Sequence, residues 1–265
     1  MDEILIPQYH EPSITSAAKY VDYILKKKNI SVPSIPRVCF ILYSRHLIDH
    51  LLSTTPSLMI DIGSRNPTEI HFCYPENSPS FAFIGEQLGA SMSVVVLEEL
   101  IALGFSSFIA MGTTGHPTRC AEPRAGIGDF ILVEDALVYE GTSNHYEPGV
   151  TVSRADPAFL DDLGTILQEK DISFLKGRIA STDALYRETP QFIAKILDEG
   201  ASAIDMETSA LYTAARFHHK RICALLYVSD IVCINNNWDV SFIAGNVDKA
   251  EDKLLSLIKI LVDSI

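Results

Sequence analysis

Hydrophobic positions fall along this chain in two rhythms, short continuous apolar runs and longer stripes at helical spacing. Ile14, Ala17, Ala18, Val21, Ile24 and Leu25 form the first stripe, which predicts a helix closing at Lys26-Lys27-Lys28. Positive charge suits a helix C-terminus and reads there as a solvated end. Ser31–Pro36 is a proline-punctuated loop, Val38–Leu42 a buried strand, and Arg45–Leu52 a helix. Leu58–Ile62, Glu69–Tyr74 and Phe81–Ile84 predict three short strands joined by Gly, Pro, Asn and Ser turns. A glycine-containing turn, Gly85–Ala90, enters a helix over 91–103. That turn is not G-x-G-x-x-G and carries no dinucleotide fingerprint. Ser91 and Ser93 fall near this helix's N-terminus, where hydroxyls act as caps.

The second half keeps the alternation. Phe108–Met111 predicts a central strand that ends in the turn Gly112-Thr113-Thr114-Gly115, followed by an irregular loop from His116 to Gly128. Glycines at both ends of the turn would let the backbone N–H groups of 113–115 and two hydroxyls converge on an anion. Then come a strand over 129–140, a helix over 156–169 opened by Asp156-Pro157, and a strand over 174–180. A polar loop, Ser181–Thr189, contains Asp183, Tyr186 and Arg187, and Pro190 starts another helix. Asp205-Met206-Glu207 sits at a strand-to-helix junction, with the helix running from Thr208 to Phe217. Ile222–Val228 is an uninterrupted buried strand ahead of Ser229-Asp230. Val247, Ala250, Leu254, Ile258 and Leu261 line one face of a C-terminal helix.

Strands and helices alternate with no linker, repeat or composition break, so the expectation is a single α/β domain over 1–265, with 1–13 as an N-terminal arm. A net charge of −13 argues against nucleic acid and anionic membranes as partners. No apolar run approaches the roughly 20 residues that span a bilayer. The acidic start Met1-Asp2-Glu3-Ile4 has no basic segment of a signal peptide. The five cysteines have no C-x-x-C spacing, and Cys39 and Cys223 sit in apolar runs as reduced core residues. Together these features predict a cytoplasmic protein. His46 and His50 are four apart, yet without further ligands nearby they read as surface residues, and no metal or cofactor is expected.

Three segments in order, Gly112–Gly115, Ala203–Ala210 and Tyr227–Asp230, together resemble the nucleoside phosphorylase family. That family includes hexameric purine nucleoside phosphorylases, uridine phosphorylases and methylthioadenosine nucleosidases. The likeness covers roughly residues 80 to 235. It implies a mixed, partly barrel-like central sheet flanked by helices, and a homo-oligomer, either a dimer or a trimer of dimers. It also implies a nucleoside and phosphate as small-molecule partners, phosphate being a co-substrate.

By the same resemblance, Glu207 accepts hydrogen bonds from the ribose hydroxyls and Met206 packs on the sugar. Asp205 stands where the purine-specific bacterial branch has a Glu. Those two acids also suit a helix N-terminus by themselves, worth up to about 1 kcal/mol. Asp230, after Ser229, matches the acid that assists N7 of a departing purine, although a lone Asp there is also an ordinary turn former. Arg187 and Gln191 are in the wrong order and spacing for the uracil-holding pair. Thr113, Thr114 and Gly115 match the turn that contacts phosphate or ribose, and Tyr186 joins the substrate-binding set.

The match fails at phosphate. Ala110 occupies the position where phosphorylases carry an arginine, and Leu42-Tyr43-Ser44-Arg45 replaces the phosphate loop after the first strand. Either Arg45, Arg65, Arg119 or Arg124 supplies the lost charge, or water is the nucleophile, as in the nucleosidase branch. A third reading is a nucleoside-binding or storage protein without chemistry. His10 of the arm belongs to a region that reaches a neighbouring subunit's site in some relatives; a surface histidine is the simpler reading.

Overall fold

The computed structural model describes residues 13–63, 68–75, 80–119, 125–235, 237–239 and 248–264. Helix α1 (Ala17–Lys28) starts where the Ser16 hydroxyl accepts from Lys19 N and stops at Asn29 in the left-handed region. Ile14 lies ahead of it and is exposed, so it is not part of the buried stripe. Strand β1 (Cys39–Leu42), helix α2 (Arg45–Thr54) and the strands β2 (Ser57–Asp61), β3 (Glu69–Cys73) and β4 (Phe81–Gly85) follow the predicted pattern. Helix α3 (Ala90–Leu103), strand β5 (Ser107–Thr118) and strand β6 (Phe130–Tyr139) come next.

The second half adds short helix α4 (Ser143–Tyr146), strand β7 (Val152–Arg154) and helix α5 (Pro157–Glu169), capped by Asp156. After strand β8 (Phe174–Thr182) a 3-10 turn (Leu185–Arg187) leads to helix α6 (Pro190–Asp198), capped by Thr189. Strand β9 (Ala201–Asp205), helix α7 (Thr208–Phe217), strand β10 (Arg221–Cys233), strand β11 (Asn237–Asp239) and helix α8 (Asp248–Ser264) complete the chain. The sequence missed α4, β7 and β11, which are too short to show a period.

All strands join one mixed sheet in the order β11-β10-β6-β8-β9-β5-β1-β4-β3-β2, with β7 on β6. A further pairing of β10 with β5 closes part of it into a ring of β5, β10, β6, β8 and β9. Strands β1 to β4 continue from β5 as an open wing. The expected α/β architecture with a partly barrel-like sheet is therefore present. On α8, Ala250, Leu254, Ile258 and Leu261 are buried as the stripe predicts, while Val247 lies outside the described residues.

The expected turn at Gly112-Thr113-Thr114-Gly115 is instead continuous strand, and β5 runs on through His116 and Pro117 to Thr118. Its neighbours explain this: β10 pairs with it in parallel from Arg221↔Ser107 to Cys233↔Thr118. Gly112 serves close packing here rather than a sharp turn. A Cβ at that position would lie 2.6 Å from Cβ of Tyr43.

Helix α7 is a core element, with Thr208 to Ala215 all buried. Its Tyr212 hydroxyl donates to Val133 O (2.9 Å) and accepts from Ala224 N (3.0 Å). These two residues face each other in the β6–β10 ladder next to a register shift on β6, so the phenol pins the ring where its ladder slips. Tyr212→Phe leaves both backbone groups buried without this partner. We expect it to lower unfolding free energy by about 2 kcal/mol or more in chemical denaturation.

Candidate active site

The crevice is built where β1, β4, β5, β9 and β10 deliver their ends or bends beside the N-termini of α3 and α7. Three backbone devices place its side chains. First, Gly115 pairs with Ile204 of β9 and with Asp230 of β10, so one residue of β5 touches both partner strands. Second, β10 shifts register between Val228 and Asp230, which sets Asp230 opposite Gly115. Third, β9 ends at Asp205 and α7 begins at Thr208, leaving Met206 and Glu207 as the junction.

Glu207 is 8% exposed and its carboxylate accepts from Gly89 N (2.7 Å), immediately before α3, and from Met206 N (3.2 Å). Two helix entrances are thus tied to one side chain. Asp205 is spent on the frame: Ser181 Oγ donates to it at 2.5 Å, and Thr208 donates through N (2.9 Å) and Oγ1 (2.5 Å). These three contacts tie Asp205 to β8 and to the first residue of α7.

Burial raises both carboxyls, and the negative charge of Asp205 pushes Glu207 further, to about 7. The donors on Asp205 offset part of the effect of its burial, and the two carboxyls titrate as a pair. Tyr43, at the end of β1, has a buried phenol raised by burial and by the nearby Glu207 and Asp205. It shares a hydrogen bond of 2.8 Å with Ser93, whose hydroxyl donates to Gln87 O at 2.5 Å. Ser93 therefore braces the turn before α3 instead of capping it, and α3 has no side-chain cap.

Thr113 is the one exposed residue of β5, whereas Thr114 is buried and donates to Ile204 O (2.7 Å), securing β5 to β9. Asp230 accepts from Ser229 Oγ (2.7 Å) and from Nε1 of Trp238 on β11 (2.7 Å). Beside it opens a pocket of about 280 Å³ whose walls include Tyr186, Glu188, Ile193, Val232 and Trp238. That is close to the lower end of small-molecule sites, about 300 Å³. Trp238, Glu188, Gly89 and Tyr43 were missed from sequence. Glu188 and Tyr43 lie in segments already singled out, but nothing in their local pattern points to a site.

The two candidate arginines among the described residues, Arg45 and Arg119, are engaged elsewhere. Arg45 is on the surface, its guanidinium held by Asp49 (2.9 Å) and Glu86 (3.1 Å). Arg119 is bound to Asp198 (2.6 Å) on α6. Ala110 is buried within β5. Arg65, Arg124 and His10 lie outside the described residues. His46 is exposed, 3.9 Å from Asp252, and His50 is on the same helix. Among the described residues no three His, Cys, Asp or Glu side chains gather where they could hold a metal, and no helix is long and apolar enough to cross a membrane.

Comparison with known proteins places this geometry in context. The model of a family described as the phosphorylase superfamily matches residues 63–263. A guanosine phosphorylase of Halorubrum lacusprofundi is 26% identical over 178 residues, 67% of this chain and 72% of that protein. A DeoD-type purine nucleoside phosphorylase of Streptococcus pyogenes is 23% identical over 197 residues, 69% of this chain and 81% of that one. The crystal structure of uridine phosphorylase from Vibrio fischeri superposes with a TM-score of 0.70 at 18% identity, covering 86% of this chain and 90% of that one.

The buried Glu207 also makes stability depend on pH. Its folded-state value of about 7 lies above the ordinary 4.5, so the folded form binds the proton more tightly. The resulting stabilisation is complete below about pH 4.5 and is lost as pH rises through 7. Thermal melts at pH 5 and pH 8 should show Glu207→Gln losing less stability over this interval than the parent. Identical losses would contradict the assignment.

Proposed function

The chain belongs to the phosphorylase superfamily, and on that premise we propose that it cleaves the N-glycosidic bond of a purine nucleoside with phosphate. The products are the free base and ribose 1-phosphate. The observation that carries this reading is the placement of Glu207, buried at the α7 junction and oriented by two backbone N–H groups. Ionised, it has lone pairs left for the ribose 2′- and 3′-hydroxyls, with Met206 beside it against the sugar. Holding the sugar this way favours the oxocarbenium-like state, since orientation supplies much of the barrier reduction in such a displacement.

A phosphate oxygen attacks C1′ from the side of Thr113 and Gly115 while the bond from C1′ to the base nitrogen breaks. The electron pair stays with the base, and a proton must reach its imidazole ring. In this reading Asp230 and Ser229 face that ring. The purine assignment rests on this Ser-Asp pair and is supported by the two purine-named relatives.

One observation favours a second reading, hydrolysis. Arg45 and Arg119 are both engaged by carboxylates, and Ala110 offers no charge, so the described part of the crevice is acidic. Water carries no charge into such a site, whereas phosphate does. Assembly as a dimer or trimer of dimers belongs to the first reading.

Base release from purine nucleosides should require phosphate and yield ribose 1-phosphate; equal release without phosphate would establish hydrolysis instead. Glu207→Ala should reduce kcat/KM about 100-fold, the loss of roughly 3 kcal/mol from two charge-assisted hydrogen bonds. A nucleoside-binding protein without chemistry would turn over nothing in either form. In sedimentation at micromolar concentration the protein should run larger than a monomer.

A further inference from the structure

The pocket beside Asp230 has a second acid that the reaction above leaves unused. Glu188 lies between the 3-10 turn Leu185–Arg187 and helix α6, half-buried against a wall that includes Leu185, Pro190 and Ile193. Trp238, which lines the same pocket, donates its Nε1–H to Asp230 Oδ2, and Ser229 donates to Oδ1. Both oxygens of Asp230 are thus engaged by donors. No hydrogen bond or ion pair among the described residues engages Glu188.

We propose that Glu188 is the catalytic acid that protonates the departing base, while Asp230, fixed in place by Trp238 and Ser229, orients that base. This rests on the nucleoside-cleaving reading above.

The electrostatics agree with the placement. Burial, and then the negative charge of Asp230, raise Glu188 to about 7, so it retains a proton at neutral pH. The other titratable groups lining this pocket are Tyr186 and Cys233. Arg187 and Asp183, on the same segment as Glu188, are exposed, as is Asp239 on β11. Helix α6 contributes Pro190 and Ile193, which carry no charge. The acid that acts on Glu188 is Asp230, whose two oxygens already have donors while Glu188 has none among the described residues.

The step balances as follows. The bond from C1′ to the base nitrogen breaks, its electron pair passes into the purine, and the Glu188 proton moves to N7. Glu188 is left ionised and regains a proton from solvent after the base departs. The nucleophile forms its bond to C1′ independently, so the role of Glu188 is the same for phosphate or water.

The test compares the parent with Glu188→Gln on guanosine or inosine and on 7-methylguanosine, whose base is already cationic and needs no proton. The parent's kcat should fall as pH rises through about 7. Glu188→Gln should lower kcat on the ordinary nucleoside about 100-fold, within the usual range for general acids, and abolish that fall. Its rate on 7-methylguanosine should stay within a few-fold of the parent. Glu188→Asp, which retracts the carboxyl but keeps the proton, should retain the pH-dependent fall at reduced kcat, and it covers the case of a Gln variant that does not fold. An active parent whose pH profile and rates are unchanged by Glu188→Gln overturns the acid and leaves the functional reading standing. Equal losses on both substrates also overturn it, because an acid has no role on the cationic base. A parent inactive on every nucleoside, with or without phosphate, overturns the functional reading and the acid with it.

Discussion

Everything in the crevice depends on how β5 is held beyond Gly112. In its first half the strand lies between β1 and β10, as a central strand of an open sheet would. In its second half it leaves β1, stays with β10 and meets β9 at Gly115↔Ile204. That single antiparallel pairing closes the ring. It also brings Asp205 and Glu207, from the end of β9, to the same side as Ser229 and Asp230, which lie 22 to 25 positions later on β10. Gly115 lies directly against Asp230: a Cβ there would be 3.4 Å from its carboxylate, in ordinary van der Waals contact.

The crevice that results is acidic on both flanks. On one, Asp205 takes the hydrogen bonds of Ser181 and Thr208, and burial with the charge of Asp205 nearby raises Glu207 to about 7. On the other, Asp230 takes those of Ser229 and Trp238, and burial with the charge of Asp230 nearby raises Glu188 to about 7. In the proposed reaction these two raised carboxyls have opposite needs, Glu207 to accept from ribose hydroxyls and Glu188 to give up a proton. Short-range donors from β8 and α7 offset part of the cost of burying Asp205, whose carboxyl is still raised by that burial.

Much of this was legible in the residues. Uninterrupted apolar runs at 38–42 and 222–228 marked buried strands, and Asp156-Pro157 and Pro190 marked helix starts, because both signals are local. The segment Asp205-Met206-Glu207 announced a strand-to-helix junction for the same reason. Gly112-Thr113-Thr114-Gly115 misled because glycine signals both a turn and a close approach. Only the presence of Tyr43 against Gly112 and of β9 and β10 around Gly115 decides between them. Ser93 misled in a similar way, since its hydroxyl had a partner in Tyr43, 50 positions earlier in the chain.

The sequence by itself determined the alternation of strands and helices, the acidic character, and which few segments could carry chemistry, because periodicity, capping and turn chemistry act within a few residues. Tertiary structure alone decided what each acid does. Asp205 and Glu207 are two residues apart and look alike in sequence, yet one is enclosed by Ser181 and Thr208 and the other faces the crevice under Gly89. Glu188 is an unremarked member of a polar loop until the fold sets it in a pocket with Trp238 and within reach of Asp230. A carboxyl's proton affinity and its free lone pairs are set by neighbours distant along the chain, and those neighbours exist only once the ring has closed.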